Sequence, residues 1–67
     1  MRNIVLLGCT NRNQRHNKIS IRLDQIVSFW ENGAEFTSVM LKNGEVHILS
    51  ERYEAFSKRY EMGAREL

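Results

Sequence analysis

The chain has 67 residues, 42% of them apolar, with ten basic and eight acidic side chains, two histidines, one cysteine and no proline. At this length it is one domain at most, and such a domain buries only roughly 60% of its extended-chain surface. The lone Cys9 excludes an internal disulfide, and Cys9, His16 and His47 are too scattered for a metal site, so self-association as a homodimer or higher ring is the expected source of extra stability.

Met1 to Cys9 has a basic start and an apolar run that is too short for a signal sequence or a membrane span. With a reduced thiol, this points to a cytoplasmic protein and no membrane partner. The net charge of +2 is unevenly placed: residues 1–22 carry Arg2, Arg12, Arg15, Lys18 and Arg22 and no acid, whereas residues 23–67 hold five basic groups against all eight acids. A cationic N-terminal third suits an anionic partner, or the acidic helix of a second copy.

Asn3 to Cys9 reads as a first strand, apolar on consecutive positions and so covered on both sides. Thr10 to Lys18 has no large apolar residue and reads as a basic loop. Ile19 to Leu23 alternates as a strand, Asp24-Gln25 breaks the phase with a bulge or kink, and Ile26 to Glu31 continues to a turn at Asn32-Gly33. Ala34 to Lys42 is the next strand, followed by a second turn at Asn43-Gly44 and the strand Glu45 to Leu49. Asn-Gly favours two-residue type I′ turns, because both central residues need positive φ. The alternation then sets Val39, Leu41, Val46 and Ile48 on the core face, and Phe36, Met40 and His47 on the face opposite.

Ser50 is suited to cap a helix over Glu51 to Met62, with Tyr53, Phe56 and Tyr60 forming one stripe and Gly63 as its stop. The fold expected is α+β: a small antiparallel meander of about four strands followed by one C-terminal amphipathic helix, β-β-β-β-α.

Ile19-Ser20-Ile21-Arg22-Leu23-Asp24-Gln25-Ile26-Val27-Ser28-Phe29, followed by Thr37-Ser38-Val39-Met40-Leu41-Lys42-Asn43-Gly44-Glu45, resembles the core pattern of LytTR-type DNA-binding domains. It is also similar to the small FlbD-type proteins associated with flagellar regulation. The resemblance covers about two-thirds of the chain and implies a β-meander with a C-terminal helix. A LytTR domain continues into a basic DNA-contacting segment that has no counterpart before Leu67, so the resemblance transfers no DNA-reading residue.

The loop residues Asn11, Arg12, Asn13, Arg15, His16, Asn17 and Lys18 are the candidate ligand-binding set. Guanidinium forks match phosphate geometry, and amides can bond base edges or ribose hydroxyls. Phe29 and Trp30 are adjacent, so one enters the core and the other faces solvent or a subunit interface; Phe29, Trp30, Phe36 and Met40 are the candidate interface. His47 reads as a surface strand histidine, and Cys9 as a small buried apolar residue. No triad, paired carboxylates or phosphate-cradling glycine loop is present, so no catalysis and no cofactor are expected.

The function expected is a non-enzymatic, homo-oligomeric binding protein for a phosphate-bearing ligand, either a nucleotide-like molecule or nucleic acid. A phage-type inhibitor that sequesters a nucleotide signal fits this outline. The alternatives are a module that binds a host protein through its sheet face or helix, and a small DNA-binding regulator.

Overall fold

A computed structural model describes residues 4–11 and 18–67. Five strands and one helix follow in the order β1 (Leu6–Thr10), β2 (Lys18–Arg22), β3 (Ile26–Glu31), β4 (Thr37–Leu41), β5 (Val46–Leu49) and α1 (Tyr53–Ala64). This is the small α+β fold expected, with the long second strand divided in two. The break is a 3-10 turn over Leu23–Gln25, at the site where the apolar phase slips. Just beyond it, the β3–β4 register shifts between Ile26 and Ser28, which leaves Val27 bulged and exposed.

β1 and β2 form one antiparallel hairpin, and β3-β4-β5 form an antiparallel meander. The two sheets meet where Asn11 bridges Leu49 and the Ser50 N–H donates to the Thr10 carbonyl at 2.9 Å. The Leu23 N–H donates to the Val5 carbonyl at 2.9 Å, which sets the phase of the first hairpin. Bonded and non-bonded pairs alternate along an antiparallel ladder, so Leu6, Gly8 and Thr10 turn their backbone groups away from β2. The Gly8 carbonyl there accepts Arg59 Nη2 at 2.7 Å, and the Thr10 carbonyl accepts Ser50.

β1 is covered on one face only. Leu7 and Cys9 are buried, whereas Ile4 and Leu6 are exposed, so the apolar run does not mark a strand enclosed on both sides. The core joins Leu7, Cys9, Ile21, Leu23, Val39, Leu49 and Phe56. Phe29 extends it: its ring lies 5.1 Å from Phe56, 5.1 Å from Tyr60 and 5.6 Å from Tyr53. The helical stripe therefore packs as its spacing predicts, and an aromatic cluster of this geometry adds to simple area burial.

Both hairpins bend at their glycines, with φ of 81° at Gly33 and 89° at Gly44, but neither is a two-residue type I′ turn. In the second, the Leu41 N–H donates to the Glu45 carbonyl and the Gly44 N–H donates to the Leu41 carbonyl, both at 2.9 Å. This makes a three-residue connection with glycine left-handed at its last position. Asn43 supports it by accepting the Glu45 N–H on Oδ1 at 2.9 Å. In the first, the Asn32 N–H bonds to the Phe36 carbonyl at 3.0 Å across Gly33, Ala34 and Glu35.

The extra loop residue reverses the faces of β5. Val39 pairs with His47 and Met40 with Val46, so His47 and Leu49 share the core face with Val39. Val46 and Ile48 stand on the outer face with Ser28, Trp30, Ser38 and Met40. The expected core positions of Val46 and Ile48, and the outward placement of His47, are thus corrected by the turn geometry.

The helix also differs at both ends. Its N-cap is Arg52, not Ser50, and no side chain caps it. The Ser50 N–H is committed to Thr10, and the Glu51 carbonyl accepts the Thr37 hydroxyl at 2.8 Å. Gly63 does not end the helix but lies buried inside it. A Cβ there would come 2.6 Å from Leu23 Cδ1 and 3.0 Å from Val5 Cγ1, so the glycine permits close approach of α1 to the hairpin. Among the described residues, no helix is long and apolar enough to cross a membrane.

Candidate ligand site at the root of the basic hairpin

In sequence, the basic segment 12–17 connects β1 to β2. Arg12, Asn13, Arg15, His16 and Asn17 lie outside the described residues. The paired strands carry an open, shallow depression of about 380 Å³, lined by Gly8, Cys9, Thr10, Lys18, Ile19 and Ser20. Gly8 pairs with Ser20, and Thr10 with Lys18. Two minimal side chains thus face each other across the hairpin, and a Cβ added at Gly8 would meet no atom within 4 Å. This absence of bulk makes the concavity.

Lys18 is exposed at the rim and enters no ion pair among the described residues. Arg22, two positions away from Ser20 on the same strand, is occupied. Its Nε and Nη2 donate to the two carboxylate oxygens of Asp24 at 3.2 and 2.8 Å. Those bonds hold the half-buried Asp24 carboxyl below its ordinary range.

Asn11 is 6% exposed, and its Nδ2 lies 3.3 Å from His47 Nδ1. An amide N–H donates, so the ring nitrogen is the acceptor of this pair. Asn11 therefore anchors the start of the loop to β5, whereas Lys18 borders the depression. Sequence reasoning placed His47 on the surface and so missed this anchor. The signal was an isolated histidine in an apolar strand, whose face depends on a turn type that cannot be read from Asn-Gly alone.

Arg59 carries no signal in the sequence, yet it ties the helix to the first hairpin. Its Nη1 donates to Glu51 Oε1 at 2.7 Å, and its Nη2 reaches the Gly8 carbonyl. It pins α1 to the strand that floors the depression. Beneath it, Cys9 is 6% exposed and its thiol donates to the Leu7 carbonyl at 3.5 Å. Burial pushes the Cys9 pKa up, Arg59 pulls against that shift and Glu51 adds to it. The thiol is held protonated, which favours packing over nucleophilic chemistry.

Of the four interface candidates, Trp30 and Met40 lie on the outer sheet face, with Trp30 42% exposed. Phe36 is half-buried beside the first turn. Phe29 belongs to the protein's own aromatic cluster, because its pairing with Val39 turns it inward. Among the described residues, no group of three or more histidine, cysteine or acidic side chains is placed to hold a metal ion. Comparison with protein-family models, with curated proteins and with solved structures found no match to this chain.

Proposed function

We propose that this chain is a non-enzymatic, self-associating binding protein that takes a nucleotide-like, phosphate-bearing ligand at the root of its basic hairpin. The observation that carries this reading is the depression walled by Gly8, Thr10, Lys18 and Ser20, on the two strands that the basic segment 12–17 connects in sequence. Its volume of about 380 Å³ falls within the range of small-molecule sites. A compact concavity favours a small ligand over nucleic acid, which needs a basic track along an extended surface. Lys18 supplies one positive charge at the rim. Arg12 and Arg15, in the loop joining the two strands, are the natural source of bidentate phosphate contacts.

A second reading, binding of another protein, is favoured by the outer sheet face. Trp30 and Val46 are exposed there beside Met40 and Ile48, and no charged side chain lies among the six positions.

A thermal-shift screen with inorganic phosphate and with nucleoside mono-, di- and triphosphates separates the two. Linkage predicts that one nucleotide class raises Tm progressively with concentration. Lys18→Ala should reduce that rise, and a Trp30 substitution should leave it unchanged. Equal Tm values with and without every nucleotide would eliminate the ligand reading.

A further inference from the structure

The strand edges of this fold are not equally protected. The edge of β1 is occupied where Gly8 accepts Arg59 and Thr10 accepts Ser50. β2 turns Lys18, Ser20 and Arg22 outward, and charged side chains discourage another strand from adding. β3 is different. The Asn32–Phe36 bond fixes the ladder phase, so Trp30 and Ser28 bond to β4 through Ser38 and Met40. The backbone N–H and C=O of Phe29 and Glu31 then point away from β4. Among the described residues, no strand lies on that side.

β3 has neither lysine, arginine nor proline, and its bulge at Val27 leaves Ser28 to Glu31 regular. The edge is also flanked by Trp30, the only tryptophan in the chain.

We infer that β3 is the self-association edge: two copies join antiparallel through β3 about a two-fold axis at Trp30, with Phe29 of each facing Glu31 of the other. This rests on the self-association in the reading above and supplies its geometry. An antiparallel pair of identical strands is two-fold symmetric, so one copy carries every donor and acceptor the other needs. Each Phe29–Glu31 pair exchanges two N–H···O bonds, and the two Trp30 side chains become neighbours on the outer face. A second copy is favoured over an ionic partner, because Glu31, at the end of the strand, is its only charged residue. The domain is also small and holds no disulfide. A contact of a few residues per side belongs to the weak, reversible size class.

The test is sedimentation and tryptophan emission of the full chain from about 1 µM to about 1 mM, a range spanning weak interfaces. The expected result is a concentration-dependent dimer with a blue shift of Trp30 emission, little affected by salt. Amide exchange at Phe29 and Glu31 should slow several-fold at the high end. Glu31→Pro removes an edge-facing N–H that β4 does not use, and should leave a monomer that still binds the nucleotide found by thermal shift. If that variant fails to fold, the exchange comparison in the wild-type chain decides alone. A monomer throughout, a dimer whose Phe29 and Glu31 amides exchange as in the monomer, or a dimeric Glu31→Pro would each overturn the inference. None of these results bears on ligand binding at the hairpin, which is scored separately by the nucleotide Tm shift.

Discussion

Gly63→Ala sets helix propensity directly against packing. In an exposed helix interior, alanine is favoured over glycine by about 1 kcal/mol. Here the added methyl would sit 2.6 Å from Leu23 Cδ1 and 3.0 Å from Val5 Cγ1. Leu23 is only 2% exposed, so it cannot swing aside without displacing other core atoms. Overpacking of this kind costs about 1–3 kcal/mol. Packing therefore outweighs propensity, and the net loss is about 1 kcal/mol by the difference of those terms. For a domain of this size that corresponds to a fall in Tm of about 4–8 °C. Total stability at this length is on the order of 3–10 kcal/mol, so the change is readily measured. Urea unfolding, with the midpoint and slope fitted separately, gives the number. In a Leu23→Val background the nearest atom is gone while Val5 Cγ1 remains 3.0 Å away, so Gly63→Ala should cost less than it does alone, a measurable coupling between the two sites. A single Gly63→Ala variant stabilised by the full propensity term would refute the close approach of α1 to the hairpin.

Three further outcomes follow from the same packing. Phe56 is fully buried, and Phe56→Ala should cost about 3–5 kcal/mol, read as a large fall in the urea midpoint, whereas Phe56→Leu should lose less. Gly44 has φ of 89° with open space around its Cα, so substitution acts through the backbone: Gly44→Ala should lose about 1–2 kcal/mol in thermal melts, and Gly44→Asn less. The Cys9 pKa is raised in the fold, so the folded state binds more protons than the unfolded state above the ordinary thiol value of about 8.5. The Cys9 contribution is whole below that pH and is lost as pH rises towards the folded value; Cys9→Ala should flatten this alkaline loss in pH-dependent unfolding curves, and the native thiol should react with Ellman's reagent far more slowly than the urea-unfolded one.

Local chemistry made the element order legible. The two Asn-Gly pairs marked both bends of the meander, and the phase slip at Asp24 marked the break between β2 and β3. Tyr53, Phe56 and Tyr60 marked the buried stripe of α1. The faces were not legible, because they depend on one residue of turn length. A two-residue turn pairs Leu41 with Val46, whereas the three-residue connection pairs Met40 with Val46 and turns every β5 side chain over. The helix start was hidden for a different reason. Ser50 has the right side chain for a cap, but its backbone is taken by Thr10, more than thirty residues away in sequence. Gly63 carries the same lesson: a glycine near a helix end suggests a stop, and only the approach of Val5 and Leu23 reveals its packing role. Of the candidate site, the cationic character of the hairpin was plain from composition. The depression was not, because it depends on Gly8 and Ser20 falling opposite each other.

The most direct test of the central proposal is amide chemical-shift mapping of the isotopically labelled chain during titration with the nucleotide that gives the largest thermal shift. The account predicts saturable changes at Gly8, Cys9, Thr10, Lys18, Ile19 and Ser20 that weaken as salt is added. Changes confined to Trp30, Met40, Val46 and Ile48, or none at saturating nucleotide, would contradict it.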